Sequence, residues 1–88
     1  TTLHRAVLFT DIEGSTGLWE RDPAAMGAAL ADHDRLLRDT FARHGGEVFK
    51  TIGDAFCVVF PTVGACASAA IDAQRRLADD GRLKVRMA

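Results

Sequence analysis

The sequence predicts an α+β domain of ferredoxin-like type, β-α-β-β-α-β, with an antiparallel sheet and its helices packed on one face. Three observations lead there. Apolar-rich runs at Glu47–Ile52 and Ala55–Phe60 are separated only by Gly53-Asp54, a tight hairpin signal. Met26, Leu30, Leu37 and Phe41 recur at helical spacing after a strong helix start at Asp22-Pro23. Strand-like and helix-like segments then follow one another in an order that buries both helices against four strands.

Each element has its own signature. His4 to Ile12 reads as the first strand, ended by Glu13-Gly14-Ser15 turn chemistry. Thr16 to Glu20 reads as a short helical turn carrying Leu18 and Trp19. The first long helix runs from the Asp22 N-cap to about His44, where Gly45-Gly46 provides a left-handed C-cap. The hairpin strands come next. Pro61-Thr62 opens a second helix, Val63 to about Ala78, with Val63, Ala67, Ala70, Ile71 and Leu77 as its apolar face and Asp79-Asp80-Gly81 as its stop. Leu83 to Ala88 begins a fourth strand.

The composition bounds the partners. Eighty-eight residues make one small domain, burying roughly 60–65% of the unfolded surface. Eleven basic residues against twelve acidic ones argue against nucleic acid or an acidic membrane held by bulk charge. No apolar run approaches a membrane span, and these residues show no signal-peptide pattern. Cys57 and Cys66 have no metal-ligand spacing and read as small buried side chains in a reducing cytoplasm. His4, His33 and His44 form no cluster and read as solvent-facing, Trp19 and the five Phe as core or interface packing, and Arg75-Arg76 as a solvated helix face. The start on Thr1 and the end within a strand suggest a piece of a larger protein.

Strand directions bring two acids together. In this topology the first and third strands are central neighbours. Asp11 ends the first strand and Asp54 opens the third at the same end of the sheet, although 43 positions separate them. Singly, each fits an ordinary role as strand end or turn residue. Side by side, two ionised carboxylates repel, and a divalent cation removes the conflict. Hard carboxylate oxygens suit magnesium or manganese, and paired aspartates can hold two such ions about 3.5–4 Å apart. After Asp11, Gly14 permits close approach of a ligand, and Ser15 and Thr16 offer hydroxyl donors beside outward-pointing N–H groups. Beside a metal site, this loop suggests a nucleoside triphosphate. Lys50 lies where the strand pattern expects an apolar side chain, and reads either as a snorkelling edge lysine or as a donor to a ligand base.

"FTDIEGST" followed by "GGEVFKTIGDAFCVVF" resembles the catalytic domain of class III adenylate/guanylate cyclases, especially the bacterial type. The resemblance covers essentially the whole chain. It implies that Asp11 and Asp54 are the metal-binding pair, assisted by the backbone carbonyl of Ile12, that Gly14 to Thr16 take the triphosphate, and that Lys50 selects adenine. It also implies two Mg2+ or Mn2+ ions, ATP as substrate, 3′,5′-cyclic AMP and pyrophosphate as products, a homodimer with shared active sites, and a cytoplasmic catalytic domain. Many family members carry Phe where Ser15 stands. The family's second purine contact and its transition-state Asn and Arg fall beyond Ala88, so residues 1–88 correspond to the metal- and phosphate-binding half, expected to be inactive alone. Two alternatives are a catalytically inactive cyclase-like module that binds nucleotide or dimerises, and a cyclic-dinucleotide synthase. The latter is disfavoured because "TIGDAF" lacks a second acid after Gly-Asp.

Overall fold

Strand β1 (Ala6–Ile12) alternates strictly, with Leu8, Thr10 and Ile12 buried while Val7 and Phe9 stay exposed. That period of two marks a strand covered on one face only. The computed structural model describes residues 5–88, so the expected start at His4 lies outside the described residues. Next come α1 (Ser15–Arg21), α2 (Pro23–Arg43), β2 (Glu47–Ile52), β3 (Ala55–Phe60), α3 (Val63–Asp80) and β4 (Val85–Met87). The sheet is antiparallel throughout, in the order β2-β3-β1-β4. The ferredoxin-like expectation therefore holds, with β1 and β3 at the centre. Helix α1 takes in Ser15 and Arg21, and α3 runs two residues past its expected end, to Asp80, because the left-handed stop is Gly81, the last residue of the expected Asp79-Asp80-Gly81 stop.

The helix ends are chemically determined. The Asp22 carboxylate accepts from the Ala25 N–H at 3.1 Å, with Pro23 at the first helical position. Thr62 caps α3 through Ala65 at 3.0 Å. Gly45 leaves α2 at φ 75°. Gly46 is required for space. A Cβ there would lie 2.5 Å from the Phe60 ring. That ring is itself buried, edge-on against Phe41 at 5.9 Å, and cannot retreat. Gly46→Ala is expected to cost about 1–3 kcal/mol, the usual range for overpacking, read as a lowered urea midpoint at unchanged slope.

Two faces differ from expectation. Helix α3 meets the core through Ala69, Ala73 and Leu77, with Cys66 and Ala70 beside them. Val63 and Ile71, expected inside, are 68% and 56% exposed. Alanines let the helix sit close to its neighbours, whereas β-branched side chains on that face would hold it off. His33, expected in solvent, is only 3% exposed and fills the gap in the α2 stripe between Leu30 and Leu37. His44 is partly covered and bonds Asp72 of α3 through Nε2 at 3.0 Å. Arg76 is not merely solvated. It reaches α2, donating to Asp39 at 3.0 Å and to the Thr40 hydroxyl. Phe41, Phe56 and Phe60 are core residues, whereas Phe9, Phe49 and Trp19 are exposed. Cys57 is buried and Cys66 partly so. Both are free thiols, and burial pushes the Cys66 thiol up. Among the described residues no helix is long and apolar enough to cross a membrane.

The approach to β4 is tied down by charge. Arg82 donates at 2.6 Å both to Asp80 and to Asp32 of α2. The Arg82 hydrogen bonds hold both carboxyls below the usual carboxylate range. A lowered folded-state pKa favours folding above the unfolded value of about 3.9, and that contribution disappears as pH falls through the folded value. Urea midpoints measured as pH falls below about 4 should therefore decline less steeply in Arg82→Ala than in wild type. The groups are exposed, so added salt should shrink the difference.

Candidate active site at the open end of the sheet

Three helices cover one face of the sheet and leave the other open. Leu8, Thr10, Ile12, Phe56, Val58 and Phe60 face the helices. Val7, Phe9 and Asp11 of β1 point the opposite way by the pleat. On β3 the open-face positions are Ala55, Cys57 and Val59, since Phe9 pairs with Cys57 and Val7 with Val59. A concavity of about 320 Å³ lies on this open face, bounded by Phe9, Asp11, Ile52, Cys57, Arg86 and Met87 among others.

Asp11 projects onto this face with its side chain 49% exposed. Across the β1–β4 ladder it is paired with Arg86, whose guanidinium donates to its carboxylate at 2.7 Å. A lone arginine in "VRM" carries no motif, and its meaning comes from the register that sets it opposite Asp11.

Asp54 is half-buried in the two-residue turn beyond Ile52–Ala55, the last pair of the hairpin ladder. Gly53 takes φ 58°, and Asp54 does not share the positive φ, the pattern of a type II′ turn. The turn position frees the Asp54 side chain from the pleat. The β1–β3 ladder runs out at Thr10–Phe56, so Asp11 and Asp54 both lie just past its end, as the topology predicts.

The Ile12 carbonyl can be placed from backbone alternation. Phe9 exchanges hydrogen bonds with Ala88 of 2.8 and 2.9 Å, and the Glu13 N–H donates to the Lys84 carbonyl at 2.8 Å. Odd-numbered residues thus address β4, which turns the Ile12 carbonyl to the β3 side, beyond the last ladder pair and toward the hairpin. Among the described residues no three His, Cys, Asp or Glu side chains converge. What this end offers a cation is two carboxylates and a carbonyl oxygen. That donor set fits Mg2+ or Mn2+, hard ions that take oxygen ligands, Mg2+ in particular keeping waters or phosphate oxygens in its remaining positions.

Gly14 precedes α1 in the left-handed conformation at φ 65°, and nothing lies within 4 Å of where its Cβ would be. Its role is conformational. Ser15 and Thr16 form the first turn of α1 rather than a free loop, and the Leu18 N–H returns to the Gly14 carbonyl at 3.2 Å. First-turn N–H groups have no partner within their own helix.

Lys50 is exposed on edge strand β2, and a bulge sets its direction. Val48 pairs with Val58 and Lys50 with Cys57, so the extra residue, Phe49, lies between them. Val48 therefore packs on the core side while Lys50 and Ile52 occupy the open face. Lys50, Cys57 and Phe9 form one row across three strands. From the strand spacing and rise, the Lys50 and Asp11 Cα atoms are about 12 Å apart on the same face.

Comparison with known proteins identifies the family and the fold. The family model described as "Adenylate and Guanylate cyclase catalytic domain" matches residues 3–78. The chain is 50% identical over 60 residues to an adenylate cyclase of Schizosaccharomyces pombe, covering 68% of this chain and 4% of that protein. It is 41% identical over 71 residues to a receptor-type adenylate cyclase of Trypanosoma congolense, 81% of this chain and 10% of that one. The chain thus spans only a small part of these relatives. A Trypanosoma brucei adenylate cyclase structure, in its monomeric state, superposes with a TM-score of 0.81 at 36% identity over 83% of this chain and 32% of its own. A bacterial light-regulated adenylyl cyclase shares the fold, with a TM-score of 0.86 at 19% identity, over 97% of this chain and 51% of its own. The family-model match, the sequence kinship and the shared fold together place this chain in the adenylate and guanylate cyclase catalytic domain family.

Proposed function

We propose that this chain is the metal- and phosphate-binding half of an adenylate cyclase domain, which converts ATP to 3′,5′-cyclic AMP and pyrophosphate when the domain is complete and paired. The observation that carries this reading is the arrival of Asp11, Asp54 and the Ile12 carbonyl at one end of the sheet. A pair of divalent ions bound there would lower the pKa of the ribose 3′-hydroxyl and offset charge on the triphosphate.

The chain's own groups do the positioning. Asp11, near the end of β1, and Asp54, in the turn that leads into β3, would supply anionic oxygens just past the end of the β1–β3 ladder. Gly14 opens the first turn of α1, whose N–H groups and Ser15 and Thr16 hydroxyls would bind phosphate oxygens. Arg86 holds the Asp11 carboxylate, and its guanidinium would be free to pair with a neighbouring phosphate if that carboxylate held a cation. Lys50 would donate to an acceptor nitrogen of adenine from the open face. No protein nucleophile is needed, since alignment and charge stabilisation carry phosphoryl transfer.

The open face also supports a homodimer. Val7, Phe9 and Ile52 expose apolar area there, with Phe9 52% exposed, and a second copy would cover it. Incubation of the complete parent protein with Mn-ATP is expected to yield cyclic AMP. Tight Mn-ATP binding with no cyclic AMP would instead identify a nucleotide-binding regulatory module.

A further inference from the structure

One buried histidine, stacked against β3, has no part in the chemistry above. His33 occupies the middle of the buried stripe of α2. Its Nδ1 lies 2.8 Å from the Asp34 carboxylate. An ionised carboxylate only accepts, so Nδ1 carries the proton and donates, and a neutral ring leaves Nε2 as a bare acceptor. That Nε2 is buried and has no hydrogen-bond partner among the described residues. A leucine or phenylalanine at this position would avoid the unpartnered atom, so stability does not account for a histidine here.

The ring's neighbour does account for it. The His33 ring runs nearly parallel to that of Phe56 in an offset stack, with centroids 5.9 Å apart and planes at 11°. Phe56 is the second residue after Asp54 and the first fully covered residue of β3. Its backbone N–H donates to the Thr10 hydroxyl at 3.3 Å, and Thr10, its ladder partner, immediately precedes Asp11. One aromatic residue thus adjoins both acid-bearing segments. The Arg38 guanidinium also lies 5.1 Å from the centre of the same ring.

We infer that His33 is a positioning residue: anchored by Asp34 and stacked on Phe56, it sets how the β3 hairpin meets the end of β1, and hence the approach of Asp54 to Asp11. This rests on the metal-binding role proposed for those aspartates. Asp34 fixes the ring, the ring fixes Phe56, and Phe56 carries the turn. Planarity matters as well as volume, because a branched aliphatic chain cannot reproduce the offset parallel contact that the ring makes with Phe56.

The test uses the complete protein and the variants His33→Leu, His33→Phe and Asp34→Ala. Three quantities are read: the thermal midpoint, hydrogen exchange of the amides from Thr51 to Phe56 without metal, and Mn2+ binding by electron paramagnetic resonance with a non-cyclisable ATP analogue. His33→Leu should keep or raise the thermal midpoint, accelerate hairpin exchange severalfold and weaken Mn2+ binding about tenfold, the lower end of what loss of a supporting residue costs a metal site. His33→Phe restores the flat ring and should recover most of both losses. Unchanged hairpin exchange in a folded His33→Leu protein overturns the inference, as does equal loss in His33→Phe. If His33→Leu does not fold, Asp34→Ala decides, since it frees the ring without touching the core: faster hairpin exchange supports the inference and unchanged exchange overturns it. Asp54→Ala separates the two readings. If it leaves Mn2+ binding intact, the metal assignment fails, while hairpin exchange still decides the role of His33.

Discussion

Asp54→Ala in the complete protein should lower manganese-dependent cyclic AMP formation about a thousandfold, because metal-assisted charge stabilisation supplies several kcal/mol of the barrier reduction. The loss should fall on turnover and not on folding. Asp54 sits in a two-residue turn outside the ladder, and its φ is not positive, so alanine is tolerated there. The thermal midpoint should stay within the range of ordinary surface substitutions. Asp79→Ala, which changes an exposed carboxylate in the last turn of α3, serves as the control for loss of negative charge. Raising Mn2+ should recover part of the activity if Asp11 and the Ile12 carbonyl still hold the ion weakly. Near wild-type turnover in Asp54→Ala would remove the metal assignment, and with it the cyclase mechanism proposed for this chain.

The second large effect concerns the base. Lys50→Glu should shift the ATP-to-GTP preference about 10- to 100-fold toward GTP, the worth of a hydrogen bond from a charged donor. The reasoning is electronic. An ammonium donates to the ring-nitrogen acceptors of adenine, whereas a carboxylate accepts from the N–H groups that guanine presents. The position is exposed on an edge strand, so charge reversal should leave the fold intact. The measurement is competition between Mn-ATP and Mn-GTP, scored as the ratio of kcat/KM values. A ratio unchanged from wild type would return Lys50 to the role of a solvated edge lysine.

Much of this architecture is legible in local chemistry. The Gly53-Asp54 pair between apolar runs specifies the hairpin, and Asp22-Pro23, Gly45 and Gly81 punctuate the helices. From the element order alone β1 and β3 become neighbours, and Asp11 and Asp54 share one end of the sheet. Those inferences hold because backbone dihedrals, capping and strand direction depend on a few adjacent residues and on simple connectivity.

Other features resisted the same reading for definite reasons. Period two applied to β2 puts Val48, Lys50 and Ile52 on one face, whereas one bulged residue sends Val48 to the core and Lys50 to the open side. On α3 the largest apolar chains suggested the buried face, but close packing selected the alanines. His33 looked polar and therefore external, although its spacing completes the stripe of Met26, Leu37 and Phe41. Arg86 acquired a partner 75 positions away through strand pairing alone.

Chain-local rules thus wrote the order of elements, their ends and the placing of the two acids at one end of the sheet, because those depend on dihedral preference and direction. Which side chains turn inward, how the hairpin is staggered and what each carboxylate touches were left to the assembled sheet and helices. These follow from volume, register and long-range contact, quantities that exist only once distant segments are packed together.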